Sequence, residues 1–149
     1  MKAVIQRVTR ASVEVEGQVV GRIDVGLLVL LGMAKGDSEV DVQYIAEKIQ
    51  TLRIFPDAQG KMNRAILDVG GSILLVSQFS LLGDTTKGRR PGFDQAAPPG
   101  EAKILYECVG GALRARGVSV EMGVFGADMK VELLNNGPVT FILDSAQKS

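Results

Sequence analysis

At 149 residues the chain is long enough for one domain with a buried core, and its 46% hydrophobic and 23% charged residues are ordinary for a globular protein. Its 17 basic and 17 acidic residues balance to a net charge of zero, which argues against a general nucleic-acid coat and leaves room only for a local basic patch. The chain has no histidine and a single cysteine, which excludes a Ser-His-Asp or Cys-His nucleophile within it and disfavours a zinc site with the usual ligands.

The first third of the chain is predicted to form β-structure. Residues 3–8 are rich in β-formers, and residues 12–16 alternate polar with apolar side chains. The dipeptide Gly17-Gln18 is a turn signal that predicts a hairpin into residues 19–23. The apolar run 27–31 then predicts a strand that is covered on both faces.

A helix is predicted to follow. Ser38 with Asp41 three residues later resembles a capping box, and apolar residues recur after it at helical spacing, namely Val42, Ile45, Ile49 and Leu52. Residues 56–60 contain Pro, Asp and Gly and have the chemistry of a turn. Residues 72–76 predict a second buried strand.

The last third combines a long loop, a helix and three strands. Residues 83–100 are rich in Gly and Pro, and loops of this length are uncommon in compact domains and often functional. Residues 101–116 predict a second helix that stops at Gly117. Strands are predicted at 118–121, 130–134 and 139–143. We expect one α+β domain spanning residues 1–149, with a frayed tail at 145–149.

The first candidate site residues stand where the strand 72–76 ends, at Ser77, Gln78, Phe79 and Ser80. Polar residues at the end of a buried strand often line a pocket, because the strand holds them rigidly while the loop exposes them. The hydroxyls and the amide can donate and accept hydrogen bonds, and Phe79 offers a face for a base or an apolar group. The alternative is an ordinary strand end whose serines satisfy turn backbone groups.

The second candidate is the segment 135–140, with Gly137-Pro138 at its centre, between two predicted strands. By itself the segment is typical of a turn. A cis Gly137-Pro138 bond, a state found in only ~5–6% of X-Pro bonds, would instead direct backbone carbonyls where a trans peptide cannot. The residues alone leave both interpretations open.

Three cations lie within four residues of the long loop, at Lys87, Arg89 and Arg90. Flanking glycines allow close backbone approach, so this cluster fits contacts with phosphates. The alternative, which the sequence supports equally well, is that these are ordinary solvated side chains whose positive charge is partly offset by Asp84 and Asp94.

Two other residues have both a structural and a functional interpretation. Arg7 shares a strand face with Ala3 and Ile5, where arginine usually snorkels or pairs with a carboxylate, but its five donors also suit a clamp on backbone carbonyls. Phe125 fits the core or a pocket wall, and the core is the commoner place for phenylalanine.

The sequence also bears on location. Cys108 is the only cysteine, so no internal disulfide forms and nothing implies an oxidising compartment. The N-terminus lacks the apolar stretch of a signal peptide, and no apolar run approaches the ~20 residues needed to cross a bilayer. We therefore expect a cytoplasmic protein without a membrane segment, and we find no residue pattern for a metal or a cofactor.

Residues 77–81 (SQFSL) and 135–140 (NNGPVT) together resemble the paired signature of the D-aminoacyl-tRNA deacylases. Each short motif alone is weak, but both, in this order and at this spacing, are specific. Residues 1–8, 87–93 and 123–129 match the family as well, so the resemblance covers nearly the whole chain. The family usually has threonine where this chain has Ser80, which keeps the hydroxyl and loses the methyl group.

The resemblance implies a compact fold with a barrel-like β core and two main helices, and a symmetric homodimer with active sites at its interface. The implied activity is that of an editing hydrolase that cleaves the ester of D-aminoacyl-tRNA. The carry-over assigns the terminal adenosine and the ester to Ser77, Gln78 and Phe79, the rest of the pocket to Phe125 and Met129, and tRNA phosphates to Lys87, Arg89 and Arg90.

The resemblance also implies how the enzyme tells D from L. A cis Gly137-Pro138 of one subunit would enter the pocket of the other, with Arg7 fixing the Gly-Pro carbonyls. Carbonyls pressed against the α-carbon would accept hydrogen bonds from the ammonium group and leave no room for an L side chain. Glycine has no side chain to exclude, so we expect glycyl-tRNA to be cleaved as well.

The lack of histidine bears on mechanism. An aminoacyl ester is already reactive, so positioning and electrostatic stabilisation with help from the ribose 2′-hydroxyl suffice without a protein base. Ser80 as a nucleophile is the alternative, although the sequence offers no partner to activate it. Two hypotheses of other classes compete: a non-catalytic RNA-binding dimer that uses the Lys87–Arg90 loop, and a purely structural homodimer.

Overall fold

The computed structural model describes residues 1–147. Its strands are β1 Lys2–Val15, β2 Gln18–Ile23, β3 Gly26–Gly32, β4 Phe55–Pro56, β5 Met62–Arg64, β6 Ser72–Ser77, β7 Ser119–Met122 and β8 Lys130–Asp144. Its helices are α1 Glu39–Thr51 and α2 Pro99–Ala115, and short 3-10 turns lie at Phe79–Leu82 and Ser145–Gln147. Within the described residues, neither helix has the length and apolar character needed to cross a membrane.

One mixed sheet organises the domain. Its strand order is β2-β1-β3-β6-β7, and β8 pairs with the other edge of β1. The pairs that involve β1 are antiparallel, whereas β3, β6 and β7 run parallel to one another. β4 and β5 form a separate small hairpin. Because β3, β6 and β7 are parallel, the chain segments that follow these three strands begin at the same edge of the sheet.

The sheet curls until it nearly closes into a barrel. A Cβ built on Gly21 of β2 would lie 3.1 Å from Leu74 Cδ1 of β6 and 3.2 Å from the Met122 carbonyl oxygen of β7. Since a side chain at this position would make tight contacts with both strands, glycine lets the first and last strands of the path approach each other. The expected barrel-like α+β fold with two main helices is confirmed.

Two hydrophobic cores lie on opposite faces of the sheet. The alternation of side chains along β3 sends Leu27, Val29 and Leu31 to the core beneath the helices, and Leu28 to the core inside the barrel. β6 divides in the same way, with Ile73 and Leu75 on the helix side. Both strands were predicted to be covered on both faces, and this is confirmed.

The first two predicted strands are in fact one strand. Residues 3–8 and 12–15 belong to β1, whose first half pairs with β3 and whose second half pairs with β2, and Glu16 lies in the turn that follows. The hairpin turn lies at Glu16 and Gly17, one residue earlier than predicted, and both have positive φ values of 50° and 78°. Two consecutive residues with positive φ give the turn that matches the twist of paired strands.

The predicted turn at 135–140 is wrong in its topology. The segments 130–134 and 139–143 form one strand, β8, that follows β1 along nearly its whole length. Thr140 pairs with Gln6 while Asn135 pairs with Val8, so residues 136–139 bulge out opposite the single residue Arg7. A local pattern cannot distinguish a turn from a bulge, because the difference depends on the strand that pairs across it.

Both helices were predicted close to their true bounds. The backbone N–H of Ser38 donates to the Asp41 carboxylate at 2.9 Å, as expected for the capping box of α1. α2 begins at Pro99 rather than at residue 101, because proline without an N–H suits the first turn of a helix. Gly117, with φ +86°, follows its end.

The tail predicted to fray, residues 145–149, begins with a residue that the structure anchors, and fraying beyond it stays a prediction. Ser145 is fully buried, and its hydroxyl accepts from the Met1 ammonium at 3.0 Å and donates to the Asp41 carboxylate at 2.6 Å. These bonds fasten the tail to the N-terminus and to the first turn of α1. Residues 148 and 149 lie outside the described part of the chain.

Candidate functional site

A cavity of about 660 Å³ opens at the carboxyl edge of the parallel strands. It is lined by segments that follow β3 at Lys35, β6 at residues 77–79 and β7 at residues 125–129, and by residues 93–102 of the long loop and the start of α2. Chain segments that leave neighbouring parallel strands meet at the same edge of a sheet, where ligands bind in many α/β proteins. The topology therefore explains why residues remote in sequence share this cavity.

The SQFS motif forms one wall. Ser77 and Gln78 are half-buried, and the backbone N–H of Gln78 donates to the Leu31 carbonyl at 2.8 Å. The Gln78 side-chain amide donates to the Ser80 hydroxyl at 2.7 Å. Ser77, Gln78 and Phe79 line the cavity, whereas Ser80 is exposed and supports Gln78 from outside the lining. The motif thus presents hydroxyl, amide and aromatic groups on a rigid strand end.

Two phenylalanines stand at the mouth of the cavity. Phe79 and Phe93 have ring centroids 4.9 Å apart at an interplanar angle of 57°. They remain 62% and 40% exposed, so a large aromatic surface faces solvent beside the cavity. Aromatic faces of this kind are suited to stacking with a planar group. Phe93 is not among the residues predicted for the site. An aromatic residue in a loop rich in glycine and charged residues could have indicated it.

The opposite wall consists of Phe125 and Met129, which both line the cavity. Phe125 also packs against the core on the helix side, so its two predicted roles, core and pocket wall, coincide. Behind this wall, the ring of Tyr106 lies 5.9 Å from that of Phe125. The Tyr106 hydroxyl donates to the Leu75 carbonyl at 2.6 Å, and burial raises its pKa to about 12, so it remains a donor across the physiological range.

Gly137 and Pro138 lie apart from the cavity of their own chain. Their peptide bond is cis, and both residues are exposed at the tip of the β8 bulge. The Asn135 side chain braces the bulge, because its oxygen accepts from the Val139 N–H at 2.7 Å and its nitrogen donates to the Thr140 hydroxyl at 3.0 Å. The bulge is therefore a defined projection with its backbone facing outward.

Arg7 fixes the base of this projection. Its guanidinium donates to the Asn136 carbonyl at 3.0 Å and to the Ile54 carbonyl at 2.7 Å, and the residue is only 9% exposed. The predicted clamp on backbone carbonyls is thus present, but within this chain it holds Asn136 rather than the Gly-Pro carbonyls. Gly137 has no space for a side chain, because a Cβ there would lie 2.6 Å from Val139 Cγ2.

The basic cluster lies at the tip of a closed loop. Asp84 and Gly92 exchange two backbone hydrogen bonds of 2.7 and 2.8 Å, and the residues between them project into solvent. The hydrogen bond from the Thr86 hydroxyl lowers the pKa of the Asp84 carboxyl below its usual value. Among the described residues, no carboxylate forms an ion pair with the three cations at the tip, Lys87, Arg89 and Arg90. The loop returns directly to Phe93 at the cavity mouth.

Comparisons with known proteins agree over nearly the whole chain. The family model described as D-Tyr-tRNA(Tyr) deacylase matches residues 4–144. A D-aminoacyl-tRNA deacylase of Anaeromyxobacter dehalogenans (strain 2CP-C) is 59% identical over 97% of both chains. A D-aminoacyl-tRNA deacylase of Thermus aquaticus is 60% identical over 99% of this chain and 97% of its own.

Solved structures share the fold. One described as c-Myc DNA Unwinding Element Binding Protein superposes with a TM-score of 0.91 and 41% identity, and the match covers 97% of this chain and 98% of that one. A second, described as a probable eukaryotic D-amino acid tRNA deacylase, has a TM-score of 0.79 over 95% of this chain and 97% of its own. Its 19% identity makes it evidence for the fold alone.

Proposed function

This chain belongs to the D-Tyr-tRNA(Tyr) deacylase family, and we propose that it is a cytoplasmic proofreading hydrolase that cleaves the ester of D-aminoacyl-tRNA to free D-amino acid and tRNA. The observation that carries this proposal is the family match across residues 4–144, which includes both signature motifs and every wall of the cavity.

The aminoacylated 3′ end of the tRNA occupies the cavity. A volume of about 660 Å³ is in the range of small-ligand sites, and the lining is largely apolar with a few polar groups, as suits a nucleoside joined to an amino acid. Phe79 and Phe93 provide the aromatic surface for the terminal adenine. Ser77 and Gln78 provide the hydrogen bonds that orient the ester.

The element that rejects L-aminoacyl esters, which we call the chiral filter, comes from a second copy of the chain. Gly137 and Pro138 project outward from β8 and lie off the wall of their own cavity, so their carbonyls are available to a neighbouring subunit. Arg7 and Asn135 hold the base of the bulge in place. A rigid backbone projection of this kind excludes an L side chain by collision and accepts hydrogen bonds from the ammonium group.

The exposure of β8 supports a homodimer. Within the described residues, the edge of β8 that faces away from β1 pairs with no strand. Leu134 is 50% exposed and Ile142 is 75% exposed on this 15-residue strand. Long exposed edges with apolar side chains are usually covered by a partner. A symmetric dimer would cover this edge and bring each bulge to the other subunit.

Hydrolysis proceeds without a protein base. The chain has no histidine, and among the described residues the Ser80 hydroxyl accepts a hydrogen bond from Gln78 and forms none with a carboxylate or an amine. The site therefore works by positioning an already activated ester, with the ribose 2′-hydroxyl assisting the attacking water. Ser80 serves to hold Gln78 in place. Its use as a nucleophile is the second candidate mechanism.

The basic loop meets the phosphates of the tRNA. Lys87, Arg89 and Arg90 are exposed on a loop that returns to the cavity mouth, so a nucleic acid whose 3′ end enters the cavity passes close to them. This feature alone also favours the second candidate function, a non-catalytic RNA-binding dimer. Ester cleavage distinguishes the two functions.

The purified protein is expected to release amino acid from D-aminoacyl-tRNA and from glycyl-tRNA, and to favour the D ester over the L ester by at least about 100-fold in kcat/KM, equivalent to about 2.7 kcal/mol. Release of labelled amino acid is measured against an enzyme-free reaction at the same pH, since these esters also hydrolyse spontaneously. Equal cleavage of D and L esters would refute the chiral filter, and salt-sensitive binding without cleavage would leave the RNA-binding dimer.

Sedimentation equilibrium is expected to give twice the chain mass of 15.8 kDa. An Ile142→Glu variant would place a charge on the exposed β8 face and shift the particle towards the monomer, with loss of D-ester cleavage because the filter and cavity no longer meet. Val40→Glu, at the 64% exposed position on α1, is the matched control. A monomeric wild type with full D preference would contradict the proposal.

The Ser80→Ala variant is expected to retain at least about a tenth of the wild-type kcat, since it removes one exposed hydrogen bond worth about 1 kcal/mol. Removal of a true nucleophile lowers kcat by about 10⁴-fold or more. Ser80→Thr, which restores the hydroxyl, is the control. Near-complete loss in the alanine variant with intact binding of tRNA would establish Ser80 as the nucleophile.

Replacing Lys87, Arg89 and Arg90 together by alanine is expected to lower kcat/KM for D-aminoacyl-tRNA about tenfold at low salt, and to reduce the slope of log(kcat/KM) against log[salt] by about 2 if three phosphates are contacted. Cleavage of D-aminoacyl-adenosine, which has no phosphate, should be unchanged. Lys61→Ala, at an exposed position on the β4–β5 hairpin, controls for the removal of a single positive charge elsewhere on the surface. An unchanged salt slope would show that the loop is merely solvated.

A further inference from the structure

The two tyrosines of the chain occupy different environments, and Tyr106 packs against a residue of the cavity wall. Tyr106 is 3% exposed on α2 and does not line the cavity, but its ring contacts Phe125, which does. Its hydroxyl donates to the Leu75 carbonyl at 2.6 Å and lies 3.5 Å from the Gly123 carbonyl. A single hydroxyl hydrogen serves mainly the shorter of these two contacts.

The Leu75 carbonyl is where three elements meet. It accepts from the Tyr106 hydroxyl of α2 and from the Gly123 N–H, which lies 3.0 Å away at the end of β7. Two residues beyond Leu75, β6 delivers Ser77 to one wall of the cavity, and two residues beyond Gly123 the chain delivers Phe125 to the other. The separation of the walls is therefore set near this carbonyl.

The wall formed by Phe125 and Met129 is closely packed against its surroundings and has little space in which to shift. A Cβ on Gly123 would lie 2.8 Å from Met129 Sδ and 3.9 Å from the Tyr106 hydroxyl, so glycine lets Met129 pack directly against the backbone. Phe125 rests on the Tyr106 ring on its other side. The ring of Tyr106 thus packs against Phe125 in this segment, while its hydroxyl binds the Leu75 carbonyl of β6, to which the segment is joined through the Gly123 N–H.

We infer that Tyr106 is a positioning residue, which fixes the Phe125–Met129 wall relative to Ser77 and Gln78. It thereby sets the affinity of the cavity for the aminoacyl-adenosine end of the tRNA. This inference rests on the proposed function. Tyr106 acts through other residues, because it does not reach the cavity itself. Loss of its hydroxyl leaves the Gly123 N–H on the Leu75 carbonyl, so a Tyr106→Phe variant keeps the fold while the wall loosens.

The test uses Tyr106→Phe and a D-alanyl-adenosine analogue in which a 3′-amide replaces the ester. Calorimetric titration counts the folded sites through its stoichiometry and measures their affinity separately. We expect an unchanged number of sites, a Kd raised about tenfold, and a kcat for D-aminoacyl-tRNA lowered by a similar factor, since small displacements of an ester from its reactive geometry are costly. Tyr44→Phe, on α1 with its ring near Lys48, should match wild type.

An unchanged Kd and kcat in Tyr106→Phe would overturn the inference, and so would fewer sites with unchanged Kd, which is the result of a purely structural role. Gly123→Ala keeps Tyr106 and moves Met129 from the same wall, and it decides the question if Tyr106→Phe does not fold. Its Kd should also rise, and an unchanged Kd would refute the inference. A wild type that cleaves no D ester would instead remove the proposed function, and the inference with it.

Discussion

Parallel pairing of β3, β6 and β7 determines where the functional groups of this protein meet. Each of these strands leaves the sheet at the same edge, so the segments that follow them must share one space regardless of their distance in sequence. That space is the cavity lined by Lys35, Ser77 and Phe125, which come from three separate parts of the chain. β3 and β6 are buried on both faces, and this rigid support limits how far the walls can move relative to one another.

The antiparallel side of the sheet has a different consequence. β1 and β8 pair over most of their length, yet four residues of β8 stand opposite Arg7 alone. Such a bulge would leave the Asn136 carbonyl without a strand partner, and the Arg7 guanidinium supplies a donor in its place. Arginine suits this position because its donors reach two carbonyls at once, that of Asn136 on the bulge and that of Ile54 beyond it. The chain can thereby project Gly137 and Pro138 outward from an otherwise regular strand.

Because the chain has no histidine, the proposed mechanism obtains its rate mainly from geometry. The groups at the cavity include hydroxyl, amide and aromatic side chains, which can position and polarise an ester, together with the charged side chains of Lys35, Asp94 and Asp128. Aminoacyl esters are reactive enough for this to suffice, which links the chemistry of the proposed substrate to the composition of the chain. In the proposed mechanism, selectivity depends on the rigidity of backbone and walls more than on any single reactive residue.

The sequence by itself determined the helices, the doubly covered strands and the family, because periodicity, capping residues and short motifs are local and survive without coordinates. It could not determine that residues 130–144 form one strand, since a turn and a bulge differ only in what pairs across them. Nor could it place Tyr106 behind the cavity wall, or Ser80 off the cavity lining beside Ser77, which lies on it. Those outcomes depend on contacts between residues far apart in the chain, such as Tyr106 with Leu75 and Arg7 with Asn136. Such contacts exist only after the sheet has brought their partners together, and only the tertiary structure decides them.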